Sequence, residues 1–275
     1  MMLCKFTEEA IDRWIHPCEL MHDGDVSQYF RVGSSALTCI ETALFAVRKL
    51  PEEVGHILDL PCGHGRVMRY LRAAFPQAKI TGCDLLRDGV DHCAARYNAV
   101  PVYSCDDPER IPLAAGFDLI WVGSLFTHLA RDLWVRFLNR FEALLNPSGL
   151  LVFTTCGRGT LKFLEQSASA FGLGQNHPKL LDQYYRHNFG YVRYPGSDSY
   201  YGLSLSTTGW VCDLLRTETG LRVVSYSEKA WDDHQDVFAC VRNPEWRPQQ
   251  PVVHPKRRSI VSHARHFVRR LLRLS

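Results

Sequence analysis

Apolar and polar positions alternate along the middle of the chain in a regular order of strands and helices. Five apolar runs predict strands, at residues 56–61, 79–84, 100–105, 117–123 and 147–155. The stretches at 66–75, 87–98 and 130–145 instead carry apolar side chains at helical spacing. Near-continuous apolar strands joined by helices are typical of an α/β fold with a mostly parallel sheet covered on both faces.

The pattern differs on either side of this region. Residues 7–50 have helical spacing, whereas residues 158–205 are rich in aromatic side chains and predict no clear strand. A helix follows at 206–220, and the strands at 221–231 and 235–243 are separated by only three residues, which forces antiparallel pairing. We therefore expect a helical region (1–50), a main domain (51–245) with an insertion at 158–205, and a C-terminal segment (246–275).

Composition indicates one large globular core. The chain has 275 residues, of which 46% are hydrophobic and 22% charged. No leader peptide and no bilayer-length apolar run is predicted, so we expect a cytoplasmic protein. The ten cysteines are scattered without a Cys-x-x-Cys pair, which argues against a disulfide framework and against a metal site.

Charge is concentrated at the C-terminus. Residues 247–275 contain eight lysines and arginines and no acid, so the rest of the chain carries −5 against +3 overall. The apolar positions from 260 to 272 lie on one helical face opposite arginines. Three interpretations of residues 256–275 thus remain open. The segment packs on its own domain, binds an acidic partner, or weakly contacts the inner face of an anionic membrane. The acidic body indicates no specific nucleic-acid binding.

The segment "ILDLPCGHGR" at 57–66 predicts a strand that enters a helix through a glycine turn. Ligands of parallel sheets bind beyond the carboxyl ends of the strands, which places the predicted site at 61–65, Asp84, 106–107 and 123–124. Met68 stands where the dinucleotide fingerprint requires a small residue, and the Walker spacing of ATP-binding loops is missing. The turn therefore favours a different ligand.

These residues resemble the class I S-adenosylmethionine-dependent methyltransferases. "LDLPCGHGR" is similar to the family's first motif, D/E-x-G-x-G-x-G, with Pro61 in place of the first glycine. "KITGCDLL", "DDPERIPLAAGFDLI" and "LLNPSGLLVFTT" resemble its later motifs, in the family's order. The resemblance covers roughly 55–155 and implies a Rossmann-like, doubly wound, seven-stranded sheet with an antiparallel C-terminal hairpin.

The resemblance also implies S-adenosyl-L-methionine as the cofactor and roles for the strand-end residues. Asp59 would face the cationic end of this methyl donor, Asp84 the ribose hydroxyls, and Asp107 or else Asp106 the adenine amino group. The other residues expected to line the donor site are Pro61, Cys62, Gly63, Gly65, Leu85, Gly123 and Ser124. Each acid also has a structural interpretation, as a strand-end carboxylate or a helix cap.

Two histidines are candidate general bases, which methyl transfer needs only for a weak nucleophile such as a hydroxyl. His128 follows the fourth strand and is equally compatible with a structural role. His234 is favoured slightly, because Asp232, Asp233 and Asp236 lie nearby in sequence and neighbouring carboxylates raise a histidine pKa. Hairpin turns are nevertheless rich in solvated polar residues.

The prediction of the acceptor rests on motifs that the sequence lacks and on its aromatic insertion. The motifs of amino-methylating and cytosine-methylating nucleic-acid enzymes are missing after the fourth strand, where the chain reads "GSLF". The aromatic residues of 184–210 form either a lid over an acceptor or ordinary core, and Tyr29 and Arg31 are candidates to fold over the donor. We expect O-methylation of a sugar, glycan or other small hydroxyl-bearing molecule. The alternatives are a protein or RNA methyltransferase docked through its tail, and a non-catalytic adaptor of this fold.

Overall fold

The computed structural model describes residues 4, 6–167, 169–196 and 201–246. The predicted tail helix and its membrane or partner contact at 256–275 lie outside these residues. None of the helices in this described part of the chain has the length and hydropathy needed to span a bilayer.

A seven-stranded sheet forms the centre of the domain, with five parallel strands followed by an antiparallel pair. In chain order its strands are β1 (His56–Asp59), β2 (Lys79–Asp84), β3 (Val100–Tyr103), β4 (Phe117–Val122), β5 (Leu145–Thr155), β8 (Leu221–Trp231) and β9 (Gln235–Arg242). Their spatial order is β3-β2-β1-β4-β5-β9-β8. The predicted α/β fold with a C-terminal antiparallel hairpin is therefore confirmed.

Helices cover both faces of this sheet. They are α1 (Val26–Ala46), α2 (Met68–Ala74), α3 (Arg87–Tyr97), α4 (Arg131–Leu144) and α7 (Thr208–Glu218). The helices α5 (Arg158–Gln166) and α6 (His177–His187) instead pack in a separate core within the insertion. Successive strand residues point to opposite faces, so Ile57 packs in the core beneath α1–α3 and Leu58 in the core beneath α4 and α7. Burial of both faces explains why these strands have nearly continuous apolar sequences.

The N-terminal region is less helical than its sequence spacing predicts. Apart from one 3-10 turn at Glu8–Ala10, the described residues before 26 are irregular, and α1 begins after Asp25, whose side chain accepts a hydrogen bond from the Gln28 amide. Pro17 and Gly24 disfavour a continuous helix there. This irregular segment crosses the loop after β1, because the Arg69 side chain donates to the carbonyls of Asp12 and Trp14.

The insertion contains strands that the sequence pattern did not predict. β6 (Phe189–Arg193) and β7 (Gly202–Ser206) form an antiparallel hairpin after α5 and α6. Each strand has only five residues, which is too short for a clear periodic signal. The side chain of Ser204 on β7 donates to the Phe126 carbonyl at 2.6 Å, so the hairpin packs onto the segment that follows β4.

Candidate active site

The carboxyl ends of β1, β2 and β4 meet at one edge of the sheet. Asp59 at the end of β1 is level with Gly82 on β2 and Trp121 on β4. The chain beyond β1 stays close to β2, because the Cys62 amide donates to the Cys83 carbonyl at 3.1 Å. The structure thus brings together the strand ends that the sequence assigned to the site.

The glycine turn has a backbone conformation that its two glycines make possible. Gly63 and Gly65 have φ values of 51° and 88°, in the region that side-chain-bearing residues rarely adopt. A Cβ atom on Gly65 would lie 2.5 Å from a ring carbon of Tyr97, whereas one on Gly63 would meet nothing within 4 Å. Gly65 is therefore needed for packing against α3, and Gly63 faces open space where a ligand can approach.

Asp84 holds the glycine turn to the end of β2. Its carboxylate accepts hydrogen bonds from the backbone amides of Gly63 at 2.8 Å and Leu86 at 2.9 Å. Burial raises the pKa of Asp84, while these two amides act in the opposite direction. Leu85 is 62% exposed beside it, so an apolar side chain stands at the rim of the turn. This juxtaposition suits a ribose that carries an adenine ring.

Asp59 is the carboxylate without a partner in this site. It is only 1% exposed, and neither carboxylate oxygen has a hydrogen-bond partner among the described residues. Burial, followed by repulsion from Asp84, raises its pKa well above the usual value. A buried unpaired carboxylate is costly, and a cationic ligand would offset that cost. Asp59 thus fits the ammonium or sulfonium end of the methyl donor, and Gly63, Asp84 and Leu85 fit its nucleoside.

Asp107, favoured for the adenine amino group, already has protein partners. Its Oδ1 atom accepts hydrogen bonds from the Glu109 amide at 3.1 Å and from Arg136 at 2.6 Å. Asp106 is exposed. Asp107 therefore forms a cap in the structure, as its structural interpretation expects. Contact of Asp107 or Asp106 with adenine stays a prediction.

The remaining residues of the turn are largely buried. A hydrogen bond with Cys93, together with burial, raises the pKa of the Cys62 thiol. The thiol therefore stays protonated at neutral pH and has a packing role. Pro61, the preceding residue, is half-buried. The His64 ring is bonded to Asp88 at 3.0 Å and stacks on His16 from the N-terminal segment, with 4.6 Å between ring centroids. The sequence analysis did not predict that the N-terminal segment covers the glycine turn, since nothing near His16 in the sequence indicates its contact with His64.

Gly123 and Ser124, after β4, belong to a network that reaches the antiparallel hairpin. The Ser124 amide donates to the Thr154 hydroxyl at 2.8 Å, that hydroxyl donates to Gln235 at 2.6 Å, and the Gln235 amide donates back to the Ser124 hydroxyl at 2.7 Å. A Cβ atom on Gly123 would lie 2.8 Å from the Trp231 ring, so this ring covers the end of β4. Gln235 and Trp231 are site residues that the sequence analysis did not identify.

His128 is held in one tautomer by the insertion. Its Nδ1 lies 2.8 Å from the Gly202 carbonyl oxygen, which can only accept, so Nδ1 carries the proton and Nε2 carries the lone pair. The ring stacks on Tyr201 at 4.4 Å, and the Tyr194 ring lies 6.1 Å away. Burial lowers the pKa of His128, which keeps Nε2 unprotonated at neutral pH. This is the arrangement of a general base.

His234 has a different environment from the one that its sequence neighbours suggest. Burial lowers its pKa, and Asp232 raises it by less, so the expected net increase is wrong. The physical reason is that Asp232 forms an ion pair with Arg31 at 2.7 Å, while the His234 ring lies 5.9 Å from Phe171. Arg31 is thus an exposed ion-pair residue, and Tyr29 is buried with its hydroxyl donating to Glu19.

Two surface cavities lie apart from these strand ends. One of about 310 Å³ is lined by residues of α5 and β8, including Lys162, Phe163 and Lys229. The other, of about 500 Å³, is lined by residues 45, 46 and 48–50 at the end of α1. Neither cavity is lined by a residue that the sequence assigned to the site.

Comparison with known proteins supports the interpretation of these strand ends as a methyl-donor site. Residues 57–149 match the family described as a methyltransferase domain. Malonyl-[acyl-carrier protein] O-methyltransferase from Laribacter hongkongensis is 34% identical over 137 residues, which are 46% of this chain and 44% of that protein. The corresponding enzyme from Legionella pneumophila is 34% identical over 120 residues, or 42% and 40% of the two chains. The chain therefore spans less than half the length of these curated relatives.

Solved structures share the fold at low sequence identity. A S-adenosylmethionine-dependent methyltransferase from Clostridium acetobutylicum superposes with a TM-score of 0.52 at 12% identity, over 82% of this chain and 95% of that one. The matched family covers the strands and turns that carry Asp59, Gly63, Gly65 and Asp84. Residues 57–149 therefore match a methyltransferase domain, and the described chain has the fold of a S-adenosylmethionine-dependent methyltransferase.

Proposed function

We propose that this chain transfers the methyl group of S-adenosylmethionine to an oxygen atom of a small acceptor, with a sugar or another hydroxyl-bearing molecule as the first candidate. The observation that carries the proposal is the His128 ring, whose Nδ1 is tied to the Gly202 carbonyl oxygen at 2.8 Å. A hydroxyl is a weak nucleophile at neutral pH, so its methylation needs a base of this kind.

The donor, when bound, supplies a methyl group activated by a positively charged sulfur. The residues of the chain bind the donor and orient it. The unpaired Asp59 carboxylate compensates positive charge, and Asp84 with the Gly63 loop holds the nucleoside. Such alignment is the main contribution that a protein makes to an in-line displacement.

On the acceptor side, His128 Nε2 would take the hydroxyl proton as the new bond to oxygen forms. The Tyr194 and Tyr201 rings stand 5.3 Å apart beside it, and their flat faces suit a sugar or aromatic ring. Ser124, fixed by Thr154 and Gln235, offers a hydroxyl at the adjoining end of β4. A pocket with few polar groups among aromatic rings is typical of small-molecule sites.

A carboxylate is the second candidate acceptor. The matched curated relatives are named malonyl-[acyl-carrier protein] O-methyltransferases, which puts a carboxyl oxygen among the acceptors to test. A carboxylate is ionised at neutral pH and needs no base. The two candidates therefore differ in how strongly the rate depends on His128.

The test is a transfer assay with methyl-labelled donor and a panel of sugars, phenols and carboxylic acids. The proposal expects labelled methyl ether from at least one hydroxyl acceptor, and a rate that falls at low pH as His128 becomes protonated. Methyl ester from carboxylic acids alone would favour the second candidate. Label on RNA or on nitrogen atoms of protein, without any methyl ether or methyl ester, or no transfer at all, would contradict both.

A further inference from the structure

Among the residues that the structure describes, the guanidinium group of Arg66, beside the proposed donor site, has no hydrogen-bond or ion-pair partner. Arg66 follows Gly65 directly and is half-buried. No hydrogen bond or ion pair of its side chain occurs within residues 6–167, 169–196 and 201–246. Arg69, one turn later, donates to the carbonyls of Gly65, Asp12 and Trp14 and to the Tyr29 hydroxyl. Arg69 is thus a structural arginine, and Arg66 is not.

The two carboxylates that influence Arg66 most are committed elsewhere. Glu19 accepts hydrogen bonds from the Tyr29 hydroxyl at 2.8 Å and from the Met21 amide at 3.0 Å. Asp232 is bonded to Arg31. Both carboxylates stabilise the charge of Arg66 from a distance, but neither forms a hydrogen bond or ion pair with it, so its planar N–H groups stay available. The environment of Arg66 therefore favours an anion supplied by a ligand.

Two aromatic rings define the place where that anion would bind. The guanidinium carbon of Arg66 lies 6.0 Å from the centroid of the Tyr29 ring and 5.9 Å from that of Trp231. Trp231 is fixed, since its Nε1 donates to the Val32 carbonyl at 3.0 Å and its ring packs edge-on against Trp121 at 5.4 Å. The same ring lies over Gly123, so Arg66 stands at the border between the glycine turn and the end of β4.

We propose that Arg66 binds a carboxylate group of a ligand at this border, an inference that rests on the proposed methyl transfer. A planar guanidinium forms two parallel hydrogen bonds with a carboxylate, and the flanking rings keep water away from the pair. Two ligands offer this chemistry at the site: the methyl donor, through its amino-acid carboxylate, and an acceptor that carries an acid group.

Calorimetric titration separates the two sources. The variants are Arg66→Gln, Arg66→Lys, which keeps the charge but loses the planar fork, and Arg222→Gln, an exposed arginine at the opposite end of β8 from Trp231. If the donor carboxylate binds Arg66, Arg66→Gln binds S-adenosylhomocysteine about 10- to 100-fold more weakly. Decarboxylated S-adenosylmethionine then binds this variant and the unaltered protein equally, and Arg66→Lys is intermediate.

If the acceptor carboxylate binds Arg66, all three variants bind S-adenosylhomocysteine as the unaltered protein does. Malonate, added as a probe to the protein saturated with S-adenosylhomocysteine, then binds the unaltered protein and Arg222→Gln but not Arg66→Gln. Unchanged affinities of a folded Arg66→Gln for both S-adenosylhomocysteine and malonate would overturn the inference. Failure of the unaltered protein to bind S-adenosylhomocysteine would instead contradict the proposed function.

Discussion

The regions proposed to bind the donor and the acceptor, which we call the donor half and the acceptor half, are built in different ways. The donor half lies within 57–149, and its key groups follow consecutive strands: a glycine turn after β1 and an acid at the end of β2. The acceptor half joins residues far apart in sequence, as in the bond between His128 and the carbonyl of Gly202. Donor binding can therefore be predicted from short motifs, whereas the proposed acceptor chemistry depends on the folded insertion.

The largest expected effect tests the acceptor half. In His128→Asn the side-chain amide can still donate toward the Gly202 carbonyl, but it has no basic nitrogen at the Nε2 position. Turnover of a hydroxyl acceptor should fall by about 10²- to 10⁴-fold, with donor affinity unchanged. The measurement is initial rate with labelled donor at saturating acceptor.

His234→Asn is the matched control, since His234 is the other candidate base and burial lowers its pKa as well. A loss in His234→Asn alone would transfer the role of base to His234. Turnover within threefold of the unaltered enzyme in both variants would show that the acceptor needs neither histidine.

The next effect tests the donor half. Asp84→Ala leaves the amides of Gly63 and Leu86 without their acceptor and removes the proposed ribose contact. Affinity for S-adenosylhomocysteine should fall about 100-fold, as expected when a buried charged hydrogen-bonding group is lost. Asp213→Ala, at an exposed acid of α7 that no part of the site includes, should change it by less than threefold in the same titration. Equal losses in the two variants would contradict the assigned role of Asp84.

The two glycines of the turn offer a comparison within the donor half. Gly65→Ala combines a left-handed φ with a 2.5 Å contact to Tyr97, so the free energy of unfolding should fall by about 2–3 kcal/mol. Gly63→Ala has a left-handed φ but open space, and should cost about 1 kcal/mol. Urea unfolding measures both values. A Gly63 variant less stable than the Gly65 variant would contradict the different roles assigned to the two residues.

The smallest effect concerns the N-terminal segment that covers the donor half. Burial, followed by the nearby His16 and His64, lowers the pKa of His92 to about 4. The unfolded chain takes up this proton near pH 6.5 and the folded chain only near pH 4, so stability falls as the pH drops through that interval. Because the ring keeps access to water, the loss is ~1 kcal/mol. In urea unfolding at pH 7.5 and pH 5, His92→Gln should lose less stability than the unaltered protein; an equal loss would exclude His92.

Sequence predicted the sheet well because the signals of its strands are local. The strands β1, β2, β4 and β5 are largely buried on both faces, and each motif lies at a strand end. The helix predicted at 206–220 is also present, at Thr208–Glu218, and the Thr207 side chain caps its first turn.

What sequence did not predict depends on distant contacts. The β6–β7 hairpin is too short for a periodic signal, and Gln235 acts through Ser124, 111 residues away. The pKa direction of His234 was wrong because sequence neighbours reveal neither its burial nor the ion pair that occupies Asp232. Arg66 was overlooked because its environment is formed by Tyr29 and Trp231, which approach it only in the folded chain.

The most direct test of the central claim is a crystal structure of this chain grown with S-adenosylhomocysteine. The account predicts the nucleoside at the carboxyl ends of β1 and β2, with its ribose on Asp84, Leu85 against its adenine, and its amino-acid portion near Asp59 and Gly63. Density for the nucleoside at another place, or none at saturating concentration with the Gly63 loop unchanged, would contradict it.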